Sequence, residues 1–235
     1  MPESPESPRT LVLWDVDHTL IETRGVGRAI YDRAFPAATG KALANLAEIS
    51  GRTELDIMAE SLRINGIEPD AVTVGKLAAA LVQGYETRRR ELATISRALP
   101  GADDTLTAFA AEPRIHQGVL TGNLREVARI KLEVFGLDRY LDLDSSAYGD
   151  DDRSRPALVT IAQQRARNRT GEIFDNGHTV LIGDTVNDVQ AALTAGVRVV
   201  GVATGKTTAT ALHDAGAQIV VEKLTPALRE LILNR

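Results

Sequence analysis

One stretch constrains this chain more than any other: residues 11–23, LVLWDVDHTLIET, where an apolar run ends in two aspartates separated by one residue. Such a run reads as a strand buried on both faces, as in a parallel sheet covered by helices. Open sheets of that kind bind ligands at the carboxyl ends of their strands, which is where Asp15 and Asp17 fall. Strand periodicity would point both carboxylates the same way if the strand ran on that far. Two carboxylates on one rim need a counterion. A hard divalent cation with oxygen ligands, Mg²⁺ first, suits a stretch that offers neither Cys nor a His pair. The other reading of the same residues is loop chemistry, with aspartates closing a turn after a strand.

Beyond the first strand the texture changes. Over residues 25–97 the segments AIYDRAF, ELDIMAESLRI and VGKLAAALVQGYETRRRELA carry apolar residues at helical spacing, punctuated by Gly40, Gly51 and NGIEP at 65–69. This predicts an all-helical insert. From Pro100 and Gly101 onward helices and strands alternate. A helix starts at Asp103, IHQGVLTGN is a strand, LREVARIKLEVFG is an amphipathic helix stopped by Gly136, and YLDLDSSAYG is a third, weak strand. Then come a helix over 156–169, the buried strand HTVLIGDT, the helix VNDVQAALTAG, the strand VRVVGVAT, a helix from Thr208, the strand AQIVV and a helix from Pro226. Alternation at this spacing predicts an α/β fold, a Rossmann-like parallel sheet with right-handed crossovers and helices on both faces. The expected division is a disordered tail at 1–10, a core domain at 11–24 and 98–235, and a helical cap domain at 25–97. An insert leaving between the first two strands lands on the rim above the two aspartates, where a lid belongs.

Composition excludes several classes of function. With 235 residues and 43% hydrophobic content the chain can bury a full core. Its formal charge of −5, from 32 acidic and 27 basic residues, argues against a general nucleic-acid binder but says little about small anionic substrates. With no cysteine, disulfides, thiolate catalysis and zinc-thiolate or iron-sulfur sites are excluded. The opening MPESPESPRT lacks the basic start and apolar core of a signal peptide, and no apolar segment reaches the ~18 residues of a membrane span. A soluble, cytoplasmic protein without membrane or nucleic-acid partners is expected, with monomer and weak dimer both open.

Three further sequences follow predicted strands and so converge on the same rim: Thr121-Gly122-Asn123, a basic residue near Arg155-Pro156, and GDTVND at 183–188 with Asp184 and Asp188. Together with DVDHT, and in this order, they closely resemble the haloacid dehalogenase (HAD) superfamily of phosphatases. The nearest likeness is to the phosphoglycolate phosphatase type with a helical cap inserted after the first strand, and it covers nearly the whole chain from Leu11. The resemblance implies a HAD-like core and Asp15 as a nucleophile that becomes an aspartyl phosphate. It implies Asp17 as the acid that protonates the leaving oxygen and then the base that activates water. It further implies Mg²⁺, held by the Asp15 side chain, the Asp17 carbonyl oxygen and Asp184, with Asp188 completing or orienting the set. Thr121 and Asn123 would hold the phosphate, with Gly122 permitting close approach. Ser50-Gly51-Arg52-Thr53 resembles a cap loop that reaches the site, placing Arg52 at a second anionic group of the substrate or at the seal of the lid.

Several residues keep a plainer reading beside this one. Asn123 suits the cap of the following helix, and so do the small and acidic residues of GDTVND. The family's third motif usually carries lysine, whereas the matching dipeptide here is Arg155-Pro156; Arg153 is a rival, and the loop also reads as a solvated charged segment. His18 stands where glycine is common and is left outside the catalytic set. Gly51-Arg52-Thr53 also reads as an ordinary helix entry with Thr53 as its cap, and Arg88-Arg89-Arg90 as a solvated helix face. The expected function is Mg²⁺-dependent hydrolysis of a small phosphorylated metabolite. The alternatives are a sugar phosphomutase of the same fold and a non-catalytic binding module. Phosphonate cleavage would call for a cap lysine, and the insert offers only Lys41 and Lys76.

Overall fold

In the computed structural model, which describes residues 9–234, the run before Asp15 forms β1 (Thr10–Trp14), buried at every position. The elements that follow are β2 (Ile21–Glu22), helices α1 (Val26–Thr39), α2 (Glu54–Ile64), α3 (Ala71–Thr87) and α4 (Arg89–Ile95), then β3 (Arg97–Ala98) and α5 (Ala102–Ala110). After them come β4 (Ile115–Val119), α6 (Arg125–Val134), α7 (Arg155–Thr170), β5 (Thr179–Gly183), α8 (Val186–Ala195), β6 (Arg198–Val202), α9 (Ala209–Asp214), β7 (Ile219–Val221) and α10 (Leu228–Leu233).

The main sheet has the order β4-β1-β5-β6-β7 with every neighbouring pair parallel, so β5 is central, β1 lies between it and β4, and β4 and β7 are edges. The period of two sorts the side chains of β1. Leu11 and Leu13 join Leu181, Leu158 and Val199 in one cluster, while Val12 and Trp14 join Val119, Ile182 and Phe109 in the other. Each fully buried aliphatic side chain is worth about 1.5–3 kcal/mol. The strand that delivers Asp15 is therefore anchored from both faces.

The chain leaves and re-enters through an antiparallel pair, Ile21 opposite Ala98 and Glu22 opposite Arg97. Helices α1–α4 lie between these strands and bury a third cluster, Ile30, Phe35, Met58, Leu62 and Leu81, to which Leu124, just before α6, and Val127 and Ile130 of α6 are added. The inserted helices thus pack on α6, the helix that follows the TGN sequence. Among the described residues no helix is long and apolar enough to cross a membrane.

Four expectations need correction. YLDLDSSAYG does not form a strand: it makes two 3₁₀ turns, Asp138–Tyr140 and Leu143–Ser145, and only an isolated bridge joins Leu120 to Ala147. The cause is Asp142, whose carboxylate accepts from the backbone N–H groups of Asp144 and Ser145 and from the Ser145 hydroxyl, drawing the chain into a turn. The long helix expected through RRRELA breaks at Arg88 into α3 and α4. Arg88 and Arg89 are half-buried and paired, Arg88 with Glu91 and Arg89 with Glu86 and Glu133, which leaves Arg90 as the exposed member. Of the tail expected at 1–10, residues 1–8 lie outside the described residues. Thr10 belongs to β1, and Arg9 donates to Glu172 and to the Ile115 carbonyl.

Candidate active site

β1 stops at Trp14, and Asp15 follows on the rim, its backbone N–H donating to the Ile182 carbonyl. The turn then reverses at His18, whose φ of 61° is left-handed. That conformation accounts for the position, since glycine adopts it most easily. The His18 carbonyl accepts from the Thr204 hydroxyl.

Asp15, Asp184 and Asp188 come together at the ends of β1 and β5, one carboxylate oxygen of each lying within 4.8 Å of the other two and all three residues buried. Arg155, at the start of α7, is 7% exposed and its Nη2 bridges two of them, donating to Asp15 Oδ1 at 2.7 Å and to Asp188 Oδ1. Burial pushes the Asp15 carboxyl up to about 7, with Asp188 adding and Arg155 opposing. Burial pushes Asp184 up to about 8, with Asp15 and Asp188 adding to it. Asp184 Oδ1 is buried with no hydrogen-bond partner. An oxygen-only cluster in which Asp15 and Asp184 resist ionisation and a buried Asp184 oxygen is unsatisfied has the donor set and charge deficit that a hard divalent cation fills. The residues therefore fit Mg²⁺.

Asp188 also serves the helix it stands on. It forms a reciprocal capping box with Thr185, so the capping reading of GDTVND and the site reading are both realised. Asp184 takes no part in that cap.

The Asp17 carboxylate does not join the acidic cluster. It turns to Lys131 of α6, whose Nζ donates to both its oxygens at 2.8 and 2.7 Å, and to Asn123 Nδ2 at 2.7 Å. Burial alone would raise its pKa, but Lys131 and Asn123 outweigh that and hold it low. Lys131 is 3% exposed, reaches Asn123 Oδ1 at 2.6 Å and lies over the Tyr85 ring, 5.2 Å from its centre. The sequence reading missed this residue. Its signal was a lysine on the apolar face of α6, four residues after Val127, a position where a cation is rarely buried without a partner.

Asn123 does not cap α6. The N-cap position is Leu124, without a side-chain hydrogen bond, while the Asn123 amide serves Asp17 and the buried Thr121 hydroxyl. Gly122 is needed for a different close approach from the one expected: a Cβ there would lie 2.0 Å from the Arg52 carbonyl oxygen. Loop 50–54 is seated on this sequence, with Glu54 N–H donating to the Gly122 carbonyl at 2.7 Å and Leu55 N–H to Gly149 at 3.1 Å. Its other side meets α8, where Asn187 donates to the Ser50 carbonyl. Thr53 stands at the N-cap of α2 but gives its hydroxyl to the Arg153 carbonyl, and the Arg153 side chain is exposed. Arg52 directs Nε to Asp56 and Nη1 to the Glu48 carbonyl.

Between the inserted helices and the rim lies a cavity of about 520 Å³, lined by Asp15, Asp17, Thr121, Arg155 and Asp184 below and by residues of α1, α2, α3 and loop 46–52 above. This is the size of a small-molecule site.

Known proteins resemble this chain over nearly its whole length. The model of the family described as haloacid dehalogenase-like hydrolase matches residues 12–202. A curated protein named phosphoglycolate phosphatase, from Agrobacterium fabrum, is 26% identical over 244 residues, covering 100% of this chain and 98% of the relative. Among solved structures, a hydrolase from Pseudomonas syringae superposes with a TM-score of 0.69 at 24% identity, over 95% of this chain and 98% of the other. A haloacid dehalogenase-like family hydrolase from Streptococcus pneumoniae gives 0.62 at 13% identity, over 97% and 99%.

Proposed function

The chain belongs to the haloacid dehalogenase-like hydrolases and is a phosphatase, and we propose that it hydrolyses the phosphate monoester of a small metabolite through an aspartyl phosphate on Asp15 with Mg²⁺ as cofactor. In this reading residues 25–97 act as a cap over a core formed by 11–24 and 98–235. The observation that carries it is the division of labour on one rim: Asp15 inside a buried acidic cluster bridged by Arg155, and Asp17 held apart on Lys131 and Asn123.

The chemistry follows from that separation. A carboxylate oxygen of Asp15 attacks phosphorus while the bond to the alcohol oxygen breaks. Asp17, ionised on Lys131 and Asn123 before substrate arrives, takes up a proton as the phosphate dianion beside it raises its pKa, and gives that proton to the departing oxygen. In the second half water attacks phosphorus, its proton passes to Asp17, and inorganic phosphate leaves with Asp15 restored. Arg155 faces the incoming dianion with a charge it cannot lose, and Thr121 with the backbone around Gly122 offers donors to the phosphoryl oxygens. The side chains of Asp15, Asp184 and Asp188 and the carbonyl oxygen of Asp17 would hold Mg²⁺. When bound, the ion neutralises charge on nucleophile and phosphate, which otherwise repel. Phosphate-monoester hydrolysis requires up to ~10²¹-fold acceleration and a single proton-transfer group supplies ~10²–10⁴, so nucleophile, acid, cation and fixed donors are all needed together.

The test is a phosphate-release screen over phosphorylated metabolites, with and without Mg²⁺, beginning with 2-phosphoglycolate because of the named relative. Release that needs Mg²⁺ and vanishes in Asp15→Asn supports the reading. Phosphoryl exchange between sugar hydroxyls without release would make the protein a mutase, and inertness toward every ester would leave a binding module.

A further inference from the structure

The phosphoryl chemistry leaves one polar pair in the cavity wall unused. Glu54, the first residue of α2, and Tyr31 of α1 both line the cavity, beside Tyr85 and Lys131. Glu54 cannot drift, because its own N–H is fixed to the Gly122 carbonyl at 2.7 Å. Its Oε1 accepts from the Tyr31 hydroxyl, and no described residue donates to Oε2. A carboxyl with one free edge therefore stands on the side of the cavity where Asp17 and Lys131 meet, and a phenol oxygen beside it has lone pairs to offer. Burial pushes the Glu54 carboxyl up to about 7, with Tyr31 and Lys131 opposing and Asp17 and Asp150 adding to the effect.

The cations that would welcome a second acid on the substrate are engaged or peripheral. Lys131 directs its contacts to Asp17 and Asn123, and Arg155 bridges Asp15 and Asp188. Arg52 is tied to Asp56 and the Glu48 carbonyl, and Arg28 is exposed and paired with Asp32. Lys206 lines the cavity but on its exposed, Asp184 side, where the neighbouring Gly205 abuts the Asp184 carboxylate, away from Glu54. A carboxylate placed beside Glu54 would meet like charge, whereas a hydroxyl or ammonium group would meet open acceptors.

We propose that Glu54 and Tyr31 form the subsite for the alcohol portion of the substrate, and that this portion carries a hydrogen-bond donor, a hydroxyl or an ammonium group, and no carboxylate. The assignment rests on the phosphatase reading and narrows it, since it separates this protein's preference from the compound in the name of its curated relative.

The experiment compares kcat/KM at pH 8 with Mg²⁺ for glycerol 3-phosphate, O-phosphoethanolamine and 2-phosphoglycolate, with p-nitrophenyl phosphate as the measure of intact hydrolytic machinery. The wild-type protein is expected to favour the two donor-bearing esters over phosphoglycolate by about tenfold or more. Glu54→Gln keeps an acceptor for Tyr31 but removes the charge. It is expected to raise phosphoglycolate relative to phosphoethanolamine by about tenfold, chiefly through KM, with Glu54→Ala shifting the ratio the same way. The wild-type ranking needs no variant, so a misfolded substitution leaves the test standing. A wild-type preference for phosphoglycolate, or a ratio unmoved in both variants while p-nitrophenyl phosphate is turned over, overturns the subsite alone. Failure of the wild type on all four esters overturns the phosphatase reading and the subsite with it.

Discussion

A lysine Nζ that is buried 2.7 Å from the Asp17 carboxylate and 2.6 Å from Asn123 Oδ1 can be tolerated because its contacts all go to acceptors. The same contacts fix where Asp17 points, so Lys131 is a positioning residue. Lys131→Met is expected to lower turnover of alkyl phosphates by ~10²–10⁴. The loss should be smaller on p-nitrophenyl phosphate, whose leaving group needs little protonation, a difference that a purely structural role would not produce. Urea unfolding should show a loss of about 1–3 kcal/mol, less than for a fully buried pair, because Asp17 is 34% exposed and rehydrates. Lys131→Arg should not restore the rate, since a planar fork does not fit a point-charge site. At the third motif, Arg155→Ala should cut kcat/KM by ~10²–10³ while Arg153→Ala stays within about twofold. The contrast follows from position: Arg155 is buried against Asp15, and the Arg153 side chain is exposed. Near-native rates for both would remove Arg155 from the site.

Loop 50–54 meets the TGN sequence backbone to backbone, with no room for a methyl group at Gly122 or at Gly149, where a Cβ would lie 1.7 Å from the Gly122 carbonyl oxygen. Gly122→Ala is therefore expected to lift the loop, breaking the Glu54 and Leu55 hydrogen bonds and costing ~100-fold in activity by misplacement of the groups it seats. Faster amide exchange over residues 49–55 would report the opening. An unchanged exchange pattern would mean that the contact is not a lock. This junction shows where the sequence was legible and where it was not. β1, β5, α6 and α8 could be read because each carries its own period and its own stop, and the acidic rim could be read because DVD and DTVND directly follow the strands β1 and β5. YLDLDSSAYG imitates a strand by alternating Leu and Asp, and nothing local says that Asp142 will capture the backbone instead. The break at Arg88 has no Gly or Pro to announce it. Lys131, Glu54 and Tyr31 lie inside helices and reach the site only because the insert packs on α6, a tertiary fact absent from any one segment.

Folding brings three carboxylates of a net-acidic chain into one buried cluster, with the Arg155 guanidinium donating to only two of them. Asp184, whose Oδ1 has no partner, bears most of that conflict, since burial and the charges of Asp15, Asp188 and Asp17 all oppose its ionisation. Removing its charge should therefore relieve the metal-free protein, and should at the same time remove a ligand. The two consequences separate a cation site from a merely strained cluster. At about 100 times its Kd, Mg²⁺ stabilises the wild type by ~2.7 kcal/mol, which for a chain of this size is a rise of about 5–10 °C in Tm. Asp184→Asn is expected to melt at or above the wild-type temperature without Mg²⁺ and to gain less than half that rise with it. The two melting curves should therefore exchange order as the ion is added, a result that thermal scans across an Mg²⁺ titration read directly. If the wild type does not respond, or if Asp184→Asn responds equally, the cluster is not the place where the cation binds. The repulsion among Asp15, Asp184 and Asp188 must then be offset by Arg155 alone.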